Sequence, residues 1–130
     1  MKNLLSLAAG GLMMLSCSTS NNDIIGQWSI KEAMGKGTNH PENLNTAFIN
    51  FGKDGKVNGN ATVNVFNGEY TINGEKLELR NIGMTRMMGA NMDAEDAITK
   101  AINTTASIKI KGNTATVYDA QNNVVMKLDR

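Results

Sequence analysis

From Trp28 to the C-terminus the chain is interrupted at short intervals by turn signals, and the runs between them alternate apolar and polar residues. Alternation with a period of two marks a strand with one face buried and the other in water. In "GQWSIKEAM", Trp28 and Ile30 alternate with Gln27, Ser29 and Lys31. "TAFINFG" and "KVNG" flank a "KDG" turn at Lys53 to Gly55. "ATVNVFNGEYTINGEKLELRN" holds two Asn-Gly pairs, Asn67-Gly68 and Asn73-Gly74. The second lies between Ile72 and Leu77 and reads as a type I′ hairpin, because that turn needs positive φ. Leu77 and Leu79 alternate with charged neighbours, so one face of that strand is wet. "ASIKIK", "TATVYDA" and "NVVMKLD" give three further strands, separated at Gly112-Asn113 and Asn122-Asn123. "KGTNHPENLN", with Gly37, Asn39 and the only proline, Pro41, reads as a loop.

One segment follows a different period. In "DAEDAITKAINTT", Ala94, Ala97, Ile98, Ala101 and Ile102 recur at helical spacing and form one apolar stripe. Asn91 or Asp93 is placed to cap this helix, and Glu95 and Asp96 complement its positive start. A helix this short is stable only when its stripe docks on something. "GMTRMMGAN", just before it, reads equally as strand or loop. Strands, one helix, then strands, with no regular alternation, predict an α+β fold: an antiparallel, curled and partly closed β-sheet with one helix packed across it.

The N-terminal end is built differently. Lys2 is followed by an apolar run from Leu4 to Leu15, broken only by Ser6, and the small Ser16 precedes the sole cysteine, Cys17. The run is too short to span a bilayer, which takes about 20 apolar residues, and it reads as an export signal. "MLSC" resembles a bacterial lipobox, with Met14 where leucine is usual. That resemblance implies acylation of Cys17, cleavage before it, and acylation of the new amino group. One acyl chain anchors marginally, and several hold a protein on a membrane durably. The expected layout is a leader at 1–16, a lipidated cysteine and polar tether at 17–24, and one domain at 25–130. Ser18 after Cys17 points, by resemblance to sorting rules in some Gram-negative bacteria, to the outer membrane.

A formal net charge of +1 argues against a nucleic-acid surface. His40, the sole histidine, stands beside Pro41 in a polar loop without visible partners, so neither a catalytic set nor a metal site is expected there. Asp93, Glu95 and Asp96 cluster at a helix start, where capping explains them. Met84, Met87, Met88 and Met92 form the one unusual cluster. Thioethers suit soft metals such as copper(I), and methionine also fills irregular cores and adaptable binding surfaces. If "MTRMM" were a strand, Met84 and Met88 would share a face and Met87 would oppose them.

"TVNVFNGEYTINGEKLEL" followed by "TRMMGANMDAEDAITKAI" resembles the META domain of small HslJ-like envelope lipoproteins. The matching positions are Asn64, Phe66, Gly68, Tyr70, Thr85, Arg86, Met87 and Glu95, together with the opening Trp28. Two cysteines of the family pattern are replaced by Val63 and Gly89, so no cysteine chemistry is expected in the domain. The resemblance implies a curled sheet with a helix and, in some relatives, a link to envelope stress or drug tolerance. It implies no reaction. Arg86 reads either as a contact for an anion or a partner or, in the favoured reading, as a buried or half-buried arginine satisfied by backbone carbonyls, Glu69 or Glu95. Asn64, between Val63 and Val65, is expected to hold a fixed hydrogen bond, and Phe66 and Tyr70 to pack in the core or on a sheet face rather than form a stacking platform.

The function expected from these residues is a lipid-anchored, non-enzymatic binding or stabilising module that meets an envelope protein or cell-wall component. The alternative is a carrier of a small ligand or soft metal, using the sheet interior and the Met84 to Met92 region. No cofactor is expected.

Overall fold

The computed structural model describes residues 22–38 and 46–130. The leader, Cys17, His40 and Pro41 lie outside the described residues. The elements in chain order are β1 (Gly26–Ala33), β2 (Lys36–Gly37), β3 (Phe48–Phe51), β4 (Lys56–Asn60), β5 (Val65–Asn73), β6 (Lys76–Met84), α1 (Asp93–Thr104), β7 (Ser107–Lys111), β8 (Thr114–Tyr118) and β9 (Val124–Asp129).

The strands form one antiparallel sheet in the order β9-β8-β7-β6-β5-β4-β3-β1-β2, and β9 returns to pair with β1. The expected curled sheet thus goes further than partial closure and becomes an eight-stranded barrel. The β9–β1 pairing removes two of the exposed edges that make open sheets prone to aggregation. β1 is shared along its length: Gly26 to Ser29 pair with β3, and Ser29 to Ala33 pair with β9. The barrel is zipped unevenly. β5 and β6 pair over nearly their full length, whereas β6 meets β7 in register only at Lys76 and Ser107.

The barrel interior is filled. Trp28, Ile30, Ile49, Phe51, Val57, Phe66, Ile108, Val117 and Leu128 are buried, each from the inward phase of its strand. Ala97, Ile98, Ala101 and Ile102 of α1 join the same core, as their spacing predicts. Phe66 stands opposite Gly59, whose missing side chain makes room for the ring: a Cβ there would sit 2.5 Å from Phe66 Cζ and 2.2 Å from the Phe48 carbonyl oxygen. The ends of the domain are tied together. Trp28 Nε1 donates to the Ile24 carbonyl at 2.9 Å, and the folded unit takes in that fully buried isoleucine. The Arg130 guanidinium lies 3.9 Å above the Trp28 ring and donates to the Ile25 carbonyl at 3.1 Å.

One turn assignment needs correction. The loop between Asn73 and Lys76 has positive φ only at its first central residue, Gly74, so the hairpin follows the type II′ pattern rather than type I′. Gly112 opens the β7–β8 hairpin in the same way. Asn67-Gly68 is not a turn: it lies within β5, where one β5 position, Gly68, faces two on β6, Asn81 and Ile82.

Candidate functional site

α1 begins without a conventional cap. Met92 holds the N-cap position and makes no side-chain capping hydrogen bond to the helix, while Asn91 Oδ1 accepts the Asp93 N–H at 2.9 Å. Glu95, expected to complement the helix start, is buried with its carboxylate directed into the barrel rim. One oxygen accepts the backbone N–H groups of Val63 and Asn64, at 3.0 and 2.6 Å. The other accepts the Asn64 side-chain amide. Asn64 is the hub of this knot. Its Nδ2 also donates to the Met87 carbonyl at 2.9 Å, and its Oδ1 accepts from Thr85 Oγ1 at 2.8 Å and from the Met87 N–H at 2.6 Å. All four of its side-chain hydrogen bonds are made, the condition for burying an amide without loss. The expected fixed hydrogen bond at Asn64 is therefore present four times over.

The knot shapes the segment after β6. Val65 N–H donates to Thr85 Oγ1 at 3.1 Å, and Thr85 N–H donates to the Val65 carbonyl at 3.1 Å, so the strand is held as far as Thr85. Beyond it, residues 85–92 run without regular structure, pinned by Asn64 at Met87. This resolves the strand-or-loop ambiguity: strand to Met84, irregular afterwards. The methionines are consequently not split between two faces. Met84, Met87, Met88 and Met92 all line one cavity of about 530 Å³, together with Ile82, Arg86, Thr99 and Ile102. Met87 is 57% exposed and Met88 83% exposed, large values for apolar side chains. Two of the sulfurs accept weak hydrogen bonds, Met84 Sδ from Thr99 Oγ1 at 3.7 Å and Met92 Sδ from the Gly89 N–H at 3.4 Å.

Arg86 departs from expectation. It is exposed on the groove rim and is not buried against Glu69 or Glu95. The physical reason is that both carboxylates are already engaged. Glu95 serves Val63 and Asn64, while Glu69 accepts from Asn81 at 3.0 Å and meets Lys56 at 3.6 Å. The Asn81 hydrogen bond first, and then the Lys56 charge, hold the Glu69 carboxyl below its ordinary value.

The remaining motif residues carry structure. Trp28, Phe66 and Tyr70 are core residues, as expected. Tyr70 stacks edge-on against Phe51 with ring centroids 5.0 Å apart and donates its hydroxyl to the Gly52 carbonyl at 2.7 Å. Burial, and then the Asp54 charge, push that phenol above its ordinary value. Gly68 is required sterically, since a Cβ would lie 2.8 Å from the Arg80 carbonyl oxygen. Thr85 and Met87 hold the knot through the hydroxyl and the backbone. Ile82, Thr99 and Asn103 line the groove without having been singled out in the sequence, and Ile102, expected only as part of the docking stripe, lines it too. Helical spacing marks Thr99, Ile102 and Asn103 as neighbours of Glu95, the one signal that points to them. Among the described residues no group of three or more His, Cys, Asp or Glu side chains is placed to hold a metal.

Val63 and Gly89, the two positions where the sequence departs from the cysteine pattern it resembles, are neighbours. A Cβ on Gly89 would lie 3.5 Å from Val63 Cβ and 2.6 Å from Val63 Cγ2. The valine thus fills the space that a second side chain would take.

No curated protein matches the chain by sequence. Three solved structures share its fold. One, determined by NMR, superposes with a TM-score of 0.66 at 20% identity, covering 85% of this chain and 94% of its own. A second NMR structure, of a protein from Burkholderia xenovorans, gives a TM-score of 0.67 at 16% identity, covering 85% of each chain. The crystal structure of a duf4847 family protein from Bacteroides vulgatus ATCC 8482 gives 0.58 at 13% identity, covering 82% of this chain and 92% of its own. By sequence, the META domain matches residues 22–130, which include every strand, the helix, the Asn64 to Glu95 knot and the groove; the chain belongs to the META domain family.

Proposed function

We propose that this META domain is a lipid-anchored, non-catalytic binding module of the bacterial envelope, and that its working surface is the methionine-lined groove between the end of β6 and α1. One observation carries the reading: the barrel interior is filled, while four methionines converge on an open cavity of about 530 Å³ and leave two of their number largely in water. A soluble domain gains nothing by exposing large apolar side chains unless something covers them. Methionine suits such a surface because its unbranched thioether adapts to partners of varied shape. The leader and the lipobox-like "MLSC" support attachment at Cys17 to the outer membrane, with residues 18–23 as a tether. A part in envelope stress belongs to this reading on the family resemblance alone.

The test uses the anchored protein in its native envelope. Replacing Met87→Ser and Met88→Ser together should cut recovery of crosslinked partner at least tenfold and leave the thermal midpoint in place. Undiminished recovery would remove the groove from the function. Mass spectrometry of the processed chain should find diacylglycerol on Cys17; a bare thiol would remove the anchor.

A second reading follows from the gathering of the four sulfurs on one cavity, which is a soft-donor set for copper(I). Titration with copper(I) under reducing conditions decides it. Stoichiometric, tight binding lost in the Met87→Ser/Met88→Ser variant would favour a metal carrier, and weak substoichiometric binding would dismiss it.

A further inference from the structure

We infer that the outer edge of β6 is a strand-addition site for an extended peptide segment bearing alternate apolar side chains and a carboxylate that reaches Arg86. The inference rests on the groove reading above and names what the groove takes.

The barrel is unzipped along this edge. Near its start, β6 is joined to the β7 region by the Leu77 N–H donating to the Ala106 carbonyl and the Ile108 N–H donating to the Glu75 carbonyl, both at about 3 Å. After Lys76 there is no further register between the two strands, although β6 continues to Met84. Alternation fixes where the remaining backbone groups point. Leu77 faces β7, so Leu79, two residues on, faces the same way. Thr85 N–H donates to the Val65 carbonyl, so Met84, one residue earlier, turns its N–H and C=O away from β5. The bulge at Asn81 and Ile82 bends the strand between these two points.

α1 packs mainly against β1, β2 and β9 and reaches this edge at Met84, where Thr99 Oγ1 donates to Sδ at 3.7 Å; beside that contact the cavity opens between Ile82 to Met88 and Ile102 and Asn103 on the helix. The site therefore offers unpaired ladder groups along one wall and apolar side chains on the wall facing it. Another extended backbone can pair with the first in place of water, and apolar side chains projecting toward the helix cover the second. Arg86 sets the charge. It stands exposed on the rim with no hydrogen-bond or ion-pair partner among the described residues, and the nearest lining carboxylate, Glu95, is consumed by Val63 and Asn64. An acidic segment complements it, and a basic one is repelled.

The test selects random nine-residue peptides on phage against the processed full-length chain in detergent micelles. Enriched sequences should alternate apolar residues around an Asp or Glu. N-methylation of alternate backbone amides should weaken binding at least tenfold, and the complex should slow amide exchange at Leu79 and Met84. Arg86→Ser should reduce affinity for the acidic peptides several-fold and leave their neutral analogues unaffected. Binding that tolerates every N-methylation, or leaves those two amides unchanged, overturns strand addition. So does protection of the same amides by self-association without peptide, which would make the occupant a second copy of the chain. If nothing is enriched while the Met87→Ser/Met88→Ser variant still loses its envelope partner, strand addition alone falls. If neither effect is seen, the groove reading falls with it.

Discussion

Glu95 and Asn64, from the first turn of α1 and the entrance to β5, complete each other's hydrogen bonding. The carboxylate takes the backbone and side-chain N–H groups of Asn64, and the amide has its other three sites filled from Thr85 and Met87. A helix start, a strand entrance and an irregular segment are thereby fixed to one another, and the groove takes its shape from them.

Glu95→Gln tests the knot. The replacement keeps the volume but turns an acceptor into a donor facing either the Asn64 side-chain amide or the two backbone N–H groups. The expected loss is about 2–3 kcal/mol, the cost of a charge-assisted hydrogen bond together with an unmatched buried donor. Urea denaturation measures it, and a loss within about 0.5 kcal/mol, typical of surface substitutions, would show that the carboxylate is not so engaged.

Val63→Cys with Gly89→Cys tests the position of the irregular segment. The 3.5 Å between the Val63 Cβ and a Cβ built on Gly89 lies at the short end of disulfide geometry. The double variant should oxidise spontaneously in air and gain about 3 kcal/mol by closing the loop between the two positions. Gly89→Cys alone should destabilise, because its side chain meets Val63 Cγ2. Non-reducing mass spectrometry and thermal unfolding check both outcomes.

Gly59→Ala should be among the most damaging small substitutions in the barrel. Its Cβ meets the Phe48 carbonyl oxygen, a backbone atom that cannot rotate away, and the Phe66 ring. Overpacking of this kind costs about 1–3 kcal/mol. Unfolding midpoints for Gly59→Ala and for Gly35→Ala make the comparison, since nothing lies within 4 Å of a Cβ at Gly35 and only its positive φ opposes the change.

Acid stability should respond to Asp119. Its carboxylate accepts the backbone N–H groups of Asn123 and Gln121, at 2.8 and 2.9 Å, and the first of these is the main cause that holds its carboxyl below the ordinary value of 3.8. A depressed folded-state value means stability that is present above the ordinary value and lost as pH falls through the folded one. Asp119→Asn should therefore be the less stable protein at neutral pH, with the gap closing below 3.8. Urea midpoints for both proteins across that range measure it.

The fold was largely legible because strands and helix announce themselves by local period. Trp28 and Ile30 alternate, and Ala94 to Ile102 repeat at helical spacing, whatever the rest of the chain does. Closure was less legible, since β9 pairing with β1 joins residues about a hundred positions apart and leaves no local trace. At the site, Asn64 betrayed itself as a polar residue between two valines. Glu95 misled, because an acidic residue at a helix start has a sufficient local explanation, and only the folded chain brings it to Asn64. Arg86 was misplaced for the converse reason: the partners assigned to it are taken by residues distant in sequence. The grouping of the methionines turned on whether this segment was strand or loop, and the Asn64 knot, invisible locally, ends the strand at Met84.

The claim that the methionine-lined groove is the working surface is tested most directly by a photocrosslinking amino acid placed, one position at a time, at Met88, Asn67, Asn113 and Gln121 of the anchored protein in its native envelope. These positions sample the groove, the outer face of the barrel and two hairpin ends. The account predicts one specific adduct, formed from Met88 and absent or at least tenfold weaker elsewhere. Equal adducts from all four positions, or a specific adduct from the barrel face with none from Met88, would contradict it.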